Sequence, residues 1–227
     1  MQRHIHTNLD FEYQLRFGDA WTRPKPLIET LSRWRYILRL VPGWHDALPT
    51  DAWGQDNTLY WGIGRPGAGL DVGLVRRVNS KVFSHEFAKE AGVELPGATL
   101  CSSVAQLEQV LEAQTAILKH PLGFSGRERI EVCGELDERQ RGWANRVLAE
   151  GPILVEPKVS LTREWSLQFD VGEQVDFLGT ALLLVDRHGQ HRGHVVGWDA
   201  PNTEILAIAT DAAWAVHRAG KCGSLGC

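Results

Sequence analysis

AILKHPLGFSGR, residues 116–127, joins an apolar run that ends in Lys119 to a segment rich in turn-forming residues. An apolar run followed by such a segment predicts a strand that opens into a loop. A strand end of this kind directs an ammonium group and several free backbone N–H groups at one point. The natural ligand at that point is a nucleotide phosphate, and the sequence therefore predicts a phosphate site here.

The composition is that of an ordinary globular protein. With 227 residues, 43% hydrophobic and 23% charged, the chain can form one large or two small domains around a buried core. The sequence has no uninterrupted apolar span of the length that a bilayer requires. Its first residues lack the apolar core of a secretory signal, so we expect a cytoplasmic protein without membrane partners.

Charge and cysteine usage point away from two other classes of protein. A net charge of −4 gives no global field that would attract nucleic acid. The four cysteines are irregularly spaced and form no CxxC pair, so they predict neither a zinc site nor a disulfide framework. Reduced thiols are the expected state.

The middle of the chain has the pattern of a small α+β module. Asn79 is a candidate cap for a helix that runs to Ala91 and stops at Gly92. A second helix begins after Ser103 and reaches about residue 113. The remaining predicted elements are the strand that ends at Lys119, a strand at 129–133 and a helix over 137–148.

The last third predicts an antiparallel sheet covered by a helix. A short buried strand begins at Ile153, and strict alternation over 163–171 predicts a half-buried strand. A turn leads to an apolar strand that runs to Val185, a second turn follows at 188–189, and an Ala-rich helix spans about 203–217. The tail, residues 221–227, has no strand pattern and no acidic residue.

The first 75 residues are irregular and rich in tryptophan. Their predicted elements are a helix over about 26–40 and short strands at 8–10 and 58–61. The tryptophans are expected in a core or a domain interface. Asp10 and Glu12 are acids that a substrate pocket could use, although no partner residue is evident from the sequence.

Three segments in this order resemble the ATP-grasp superfamily over about residues 76–197. They are Asn79-Ser80-Lys81 before a helix, Lys119 with its loop, and Val155-Glu156-Pro157-Lys158-Val159 followed by Arg163-Glu164-Trp165-Ser166. The resemblance implies an α+β fold in which two subdomains clamp ATP. They would be a lid at 76–150 and a C-terminal subdomain at 151–227, after a small N-terminal pre-ATP-grasp α/β domain at 1–75.

The resemblance also implies roles for individual residues. Lys81 and Lys119 match lysines that contact ATP phosphates, and Gly123, Ser125, Gly126 and Arg127 lie in the loop that covers them. Glu156, Pro157, Lys158 and Val159 match the adenine hinge, in which Pro157 can offer only a carbonyl and Val159 both backbone groups. Glu164 matches a carboxylate on the ribose hydroxyls. Glu128 departs from the pattern, because a glycine is common at that position, and it brings an acid near phosphate.

The implied function is an ATP- and Mg²⁺-dependent carboxylate–amine ligase, which activates a carboxylate as an acyl phosphate for attack by an amine. Family members take their Mg²⁺ ligands from strands that follow the position of the helix at 203–217. The sequence ends at Cys227 before such a segment, which predicts a shortened or a degenerate member. Catalytic and metal-binding residues are therefore not assigned. A nonenzymatic nucleotide-binding module is the first alternative.

Two further motifs allow other interpretations. Residues 62–67, GIGRPG, match the letters of a dinucleotide fingerprint, but Pro66 removes an N–H group that a pyrophosphate would use. An NAD-dependent enzyme is therefore the second alternative. His188, His191 and His194 suggest a metal site, yet on a hairpin the middle histidine would point away from the other two, which favours a polar turn.

Overall fold

The structure is a computed structural model, and its contacts divide the chain into two compact units, Met1–Arg76 and Arg77–Cys227. It describes residues 2–6, 8, 10–34, 37–40, 43–54, 56–60, 62, 71–112, 115–123, 128–186, 191–196, 202–220 and 223–226. Within these residues, no helix combines the length and the apolar composition needed to cross a bilayer.

The first unit is built on a parallel sheet with the strand order β2-β1-β3. Its strands are β1 (His4–His6), β2 (Leu48–Pro49) and β3 (Thr58–Tyr60). Its helices are α1 (Phe11–Phe17) and α2 (Lys25–Trp34), with short 3-10 turns at Gly18–Ala20 and Ile37–Leu40, and α3 (Val72–Val78) spans the division between the units. The core under this sheet is small and centres on Ile5 and Ala47, with Trp44 and Leu59 packed against them.

Two predictions for the first unit need correction. The predicted strand at 8–10 is wrong, because the first strand is His4–His6 and Asp10 already lies in the turn before α1. The side chain of Asn8 forms two hydrogen bonds with the backbone of Gly62. Its Nδ2 donates to the Gly62 carbonyl at 2.5 Å, and its Oδ1 accepts from the Gly62 N–H at 3.2 Å. The predicted helix over 26–40 ends as an α-helix at Trp34.

The second unit begins with a four-stranded antiparallel sheet in the order β4-β7-β5-β6. Its strands are β4 (Thr99–Cys101), β5 (Thr115–Lys119), β6 (Arg129–Cys133) and β7 (Ile153–Pro157), and its helices are α4 (Lys81–Glu90), α5 (Val104–Leu111) and α6 (Glu138–Leu148). One face of the sheet packs on α5 and α6 around fully buried Leu107, Leu118 and Val155. The predicted α+β module is confirmed.

The helix ends of this module show how local sequence sets its boundaries. The cap of α4 is Ser80, whose hydroxyl accepts from the N–H of Phe83 at 3.1 Å, so the prediction of Asn79 is wrong by one residue. Gly92 has the left-handed φ of 68° that was expected after this helix. Asp137 caps α6 in a reciprocal capping box with Gln140.

A second antiparallel sheet follows in the order β10-β9-β8-β11 and carries α7 on one face. Its strands are β8 (Trp165–Val171), β9 (Val175–Val185), β10 (His191–Val196) and β11 (Gly223–Gly226), and α7 spans Thr203–Arg218. Leu167, Phe169 and Val171 of β8 are buried against Ala209 and Ala213 of the helix. The predicted alternation of β8 is therefore confirmed.

The tail contains a strand although its sequence has no strand pattern. Gly223–Gly226 forms β11, which pairs antiparallel with β8 from Gly223 opposite Val171 to Gly226 opposite Gln168. A ladder of this kind is made by backbone N–H and C=O groups, so it needs no alternation of apolar and polar side chains. That is why the glycine-rich tail shows no strand pattern in its sequence.

Candidate nucleotide site

Lys119 lies at the end of β5, a strand hydrogen-bonded on both sides, to β6 and to β7. Ala116 and Leu118 of this strand are fully buried in the core, so Lys119 belongs to the opposite face of the sheet. Ile117 is directly opposite Glu156, which makes Glu156 a diagonal neighbour of Lys119 on that face. The Lys119 ammonium forms an ion pair with the Glu156 carboxylate, and both side chains are about three-quarters buried.

Lys81 reaches the same place from a different element. It is the first residue of α4, and its backbone N–H donates to the carbonyl of Pro121 at 2.7 Å. Burial lowers the pKa of Lys81, the charge of Lys119 lowers it further, and Glu156 opposes both effects. The structure therefore brings Lys81, Lys119 and Glu156 together, although they are far apart in sequence. The positive end of the α4 dipole adds to the positive potential around Lys81.

The loop after Lys119 has a well-defined base. The N–H of His120 donates to the carbonyl of Glu128 at 3.0 Å, and the N–H of Gly123 donates to the carbonyl of His120 at 3.0 Å. These two bonds close the stem of the loop and position Gly123, which is buried. The remaining predicted loop residues, Ser125, Gly126 and Arg127, lie outside the described residues.

His120 is a fully buried residue that fixes this stem, and sequence analysis gave it no role. Its Nδ1 accepts a hydrogen bond from the N–H of Leu122 at 2.9 Å, so the ring proton must sit on Nε2. Nε2 lies 3.2 Å from the Glu150 carboxylate, to which it donates. The position of this histidine directly after Lys119 is the one feature of the sequence that could have indicated its role. No sequence pattern links His120 to Glu150.

Glu128 closes the loop with a backbone φ of +54°. This is the left-handed region, in which a residue with a Cβ is disfavoured and glycine is accepted freely. A left-handed backbone at this position is a physical reason to expect glycine there, whereas this chain has an acidic residue.

The predicted hinge begins inside β7 and continues beyond its end. Glu156 and Pro157 belong to the strand, and the N–H of Lys158 donates to the carbonyl of Thr115 at 3.0 Å. The Lys158 ammonium pairs with Glu131 at 2.6 Å on the exposed surface. Val159 follows the strand and is 46% exposed.

Glu164 lies just before β8, beside a different concave surface. Its carbonyl accepts from the N–H of Leu183 at 2.8 Å, and its residue lines a cavity of about 300 Å³ with Thr162, Arg163 and the end of β9. Among the described residues, no hydrogen bond or ion pair joins Glu164 to Lys81, Lys119 or Glu156. The contacts of the structure thus join the two lysines to Glu156, while Glu164 contacts Leu183 and lines a cavity of its own.

The other candidate motifs receive less support. Within the described part of the chain, no group of three or more His, Cys, Asp or Glu residues could hold a metal ion. His188 and residues 63–67 of the dinucleotide-like motif lie outside the described residues.

Comparisons with known proteins bear on the fold. No family model matches the chain, and no curated protein matches its sequence. The ADP complex of N5-carboxyaminoimidazole synthetase from Staphylococcus aureus superposes with a TM-score of 0.54 at 12% identity, over 80% of this chain and 55% of that one. An ADP complex of N5-carboxyaminoimidazole ribonucleotide synthetase gives 0.56 at 12% identity, over 99% of this chain and 65% of that one.

A third similar structure is the biotin carboxylase domain of the Hydrogenobacter thermophilus 2-oxoglutarate carboxylase, solved with MgADP, ADP and bicarbonate. It gives a TM-score of 0.55 at 18% identity, over 72% of this chain and 38% of that one. This chain thus spans between 38% and 65% of the three solved chains. All three are ATP-grasp enzymes. The chain has the ATP-grasp fold, and the predicted resemblance is confirmed at that level.

Proposed function

We propose that this chain binds ATP in its second unit. In this proposal Lys81 and Lys119 bind the phosphates, and the loop that holds Gly123, Ser125, Gly126 and Arg127 covers them. The hinge, Glu156 to Val159, holds the adenine, and Glu164 binds the ribose. The subdomains of the clamp are residues 76–150 and 151–227. The bound ADP in the similar structures supports this choice of ligand.

The observation that carries the proposal is the convergence of Lys81 and Lys119. Burial lowers the pKa of Lys81 and the charge of Lys119 lowers it further, and two ammonium groups held close together are costly unless an anion is bound between them. Glu156 supplies one negative charge beside Lys119, which offsets part of this repulsion without nucleotide. A triphosphate would supply several more, so both lysines would favour its binding.

The proposed reaction is that of an ATP-dependent carboxylate–amine ligase. A carboxylate oxygen attacks the γ-phosphorus of ATP, the bond to the β-phosphate oxygen breaks, and ADP leaves as an acyl phosphate forms. An amine then attacks the acyl carbon and expels phosphate, and the amine proton is lost to solvent. Positioning and positive charge provide most of the catalysis in such phosphoryl transfers, and the two lysines are suited to both.

Magnesium enters the proposal with the nucleotide. The described residues contain no cluster of three or more potential metal ligands, and in this proposal the ion arrives bound to ATP. Magnesium bound to ATP would neutralise part of the phosphate charge and would be held largely by the nucleotide and water. A cytoplasmic location, where ATP is abundant, fits this function.

Calorimetric titration of MgATP into the wild-type chain and Lys119→Ala tests the nucleotide site. We expect the variant to bind roughly 10- to 100-fold more weakly, because it loses a charged hydrogen-bond donor to phosphate. Lys89→Ala is the matched control, since Lys89 is an exposed lysine at the other end of α4. Equal affinity in wild type and Lys119→Ala would contradict the proposal, as would an equal loss in the control.

The ligase reaction needs a separate measurement. Wild type is incubated with MgATP, a panel of carboxylic acids and hydroxylamine, which replaces the amine and converts an acyl phosphate to a coloured hydroxamate. ADP and hydroxamate formed in equal amounts with one acid would support the ligase. Tight binding of ATP without any ADP would favour the nonenzymatic nucleotide-binding module instead.

A further inference from the structure

The first unit contains a polar cavity of about 340 Å³ that plays no part in the proposed nucleotide site. It is lined by residues from β1, α1 and the segments that follow α1 and β2, chiefly His6, Gln14, Trp21, Arg23, Asp51 and Trp53. His6 is the last residue of β1, and Asp51 follows the end of β2, so the cavity lies at the carboxyl ends of two parallel strands. Ligand sites in open α/β sheets occur at this position.

Asp10 organises the side chains on one side of this cavity. It is 1% exposed, and its carboxylate accepts from Trp21 Nε1 at 2.8 Å, from Arg23 Nε at 2.8 Å and from Gln14 Nε2 at 3.3 Å. Burial would raise the pKa of Asp10, but the hydrogen bonds from Arg23 and Trp21 outweigh it and lower the pKa below its ordinary value. Asp10 is therefore a carboxylate that holds three cavity residues in fixed orientations.

The bond from Gln14 to Asp10 determines which amide atom remains for a ligand. A carboxylate can only accept, so the amide nitrogen must face Asp10 and the oxygen must face elsewhere. Gln14 is 2% exposed, and its Oε1 has no hydrogen-bond partner among the described residues. A buried acceptor without a donor destabilises the folded protein, and a ligand N–H group would remove that cost.

His6 offers a second buried acceptor. It is 5% exposed, and its Nδ1 also has no partner among the described residues. Burial lowers the pKa of His6, and the charge of Arg23 lowers it further, while Asp51, Asp10 and a hydrogen bond to the Thr50 backbone act in the opposite direction. The ring is therefore neutral at pH 7. The hydrogen bond to the Thr50 backbone raises the pKa, so the ring nitrogen that makes it carries the proton. Nδ1 has no partner among the described residues, and in a neutral ring it is therefore the nitrogen without a proton and can accept a hydrogen bond.

Opposite charges and aromatic walls complete the cavity. Asp51 provides a carboxylate, and Arg23 provides a guanidinium with five N–H groups, of which the bond to Asp10 uses one. Trp21 stacks on Tyr13 at 4.4 Å between ring centres, and Trp53 packs edge-on to His6 at 5.5 Å. These contacts make the walls rigid before any ligand arrives.

We propose that this cavity binds a small zwitterion of the α-amino acid class. An ammonium group has three N–H donors, which match the three acceptors Gln14 Oε1, His6 Nδ1 and the Asp51 carboxylate. The ligand carboxylate pairs with Arg23, and the ligand side chain lies against Trp21 and Trp53. The proposal uses residues of the first unit alone and does not depend on the nucleotide site.

Calorimetry of the full chain, without nucleotide, tests this site with each of the twenty common L-amino acids. At least one of them is expected to bind. Its analogue without the carboxylate and its analogue without the amine should each bind at least tenfold more weakly. Binding of none of the twenty at 10 mM would overturn the proposal, and so would equal binding of either analogue.

Variants identify the cavity as the place of binding. Asp51→Asn and Gln14→Met should each weaken the bound amino acid at least tenfold, while Asp56→Asn, an exposed aspartate outside the cavity lining, should not change it. Asp51 is exposed, so its replacement leaves the fold intact and decides the question even if Gln14→Met unfolds. Unchanged affinity in Asp51→Asn would refute the site. ATP affinity should be the same in wild type and Asp51→Asn, which separates this test from that of the nucleotide site.

Discussion

At the scale of single residues, each candidate site contains polar groups whose charges or hydrogen bonds are only partly balanced by neighbouring groups. Lys81 and Lys119 share one carboxylate, Glu156, and the charge of Lys119 lowers the pKa of Lys81. In the first unit, Asp10 receives three donors, whereas Gln14 Oε1 lacks a partner within the described structure. Such unbalanced groups reduce the stability of the unliganded protein, and a complementary ligand restores it.

Glu12 should make the first unit less stable as the pH rises. Burial raises its pKa from the ordinary 4.5 to about 7, a backbone hydrogen bond opposes this, and the nearby Asp10 charge adds to it. Between these two pKa values the folded state binds more protons than the unfolded state, so the stability falls from about pH 4.5 and levels off above about pH 7. The total loss is on the order of 3 kcal/mol.

Urea denaturation at pH 5 and at pH 8 measures this effect. Glu12→Gln should lose less stability than wild type over this interval, because the glutamine has no proton to release. Glu29→Gln, which alters an exposed glutamate of α2, should retain the wild-type difference. A wild-type difference that persists in Glu12→Gln would show that another group is responsible.

At the scale of elements, the loop between β5 and β6 shows how local geometry limits sequence. Its stem is closed by the bond from His120 to Glu128, and His120 is anchored in turn by Glu150. Glu128 accepts a left-handed φ of 54° to make this closure. Glu128 therefore has both a strained backbone conformation and an acidic side chain. Substitutions at this residue can measure the effect of the backbone strain separately from the effect of the charge.

Glu128→Gly and Glu128→Ala should differ in stability but not in charge. The left-handed conformation costs a residue with a Cβ about 1–2 kcal/mol, so glycine should stabilise the protein relative to alanine by about 1 kcal/mol. Both variants remove the acid from the proposed phosphate loop, so both should bind ATP more tightly than wild type. Thermal unfolding and calorimetry measure the two effects, and similar melting temperatures for the two variants would argue against strain at this residue.

At the scale of the whole molecule, the chain has two compact units, each with its own sheets and its own candidate site. The proposed nucleotide site uses only the second unit, and the zwitterion cavity uses only the first. The similar solved structures extend over most of this chain, while the chain spans at most 65% of the three compared. The two sites can therefore be examined independently in one protein.

Hydrogen exchange should show two separate footprints. MgATP is expected to slow amide exchange in peptides that contain the end of β5, the loop stem and the end of β7. A bound amino acid should slow exchange around β1, α1 and the segment after β2. Protection appears where ligand contacts raise the free energy of local opening. Overlapping footprints for the two ligands would contradict the assignment of separate sites.

Much of the second unit could be predicted because its signals are local. The strands β5 and β6 and the alternation of β8 follow from residues that are neighbours in sequence, as do the caps of α5 and α6. Periodicity and capping depend on a few adjacent residues, so they can be recognised without a structure. The order of the lysine, loop and hinge segments likewise indicated the fold that the comparisons confirm.

The sequence by itself thus determined most helices and strands of the second unit, its ATP-grasp fold and the lysines proposed to bind phosphate. Tertiary structure alone decided that Lys81 meets Lys119 and Glu156, that Glu150 anchors His120, that Asp10 organises a cavity, and that the glycine-rich tail becomes β11. Each of these joins segments that are distant in the chain. Pairing of that kind depends on how helices and strands pack within each unit and on backbone groups common to all residues, which leave no local pattern.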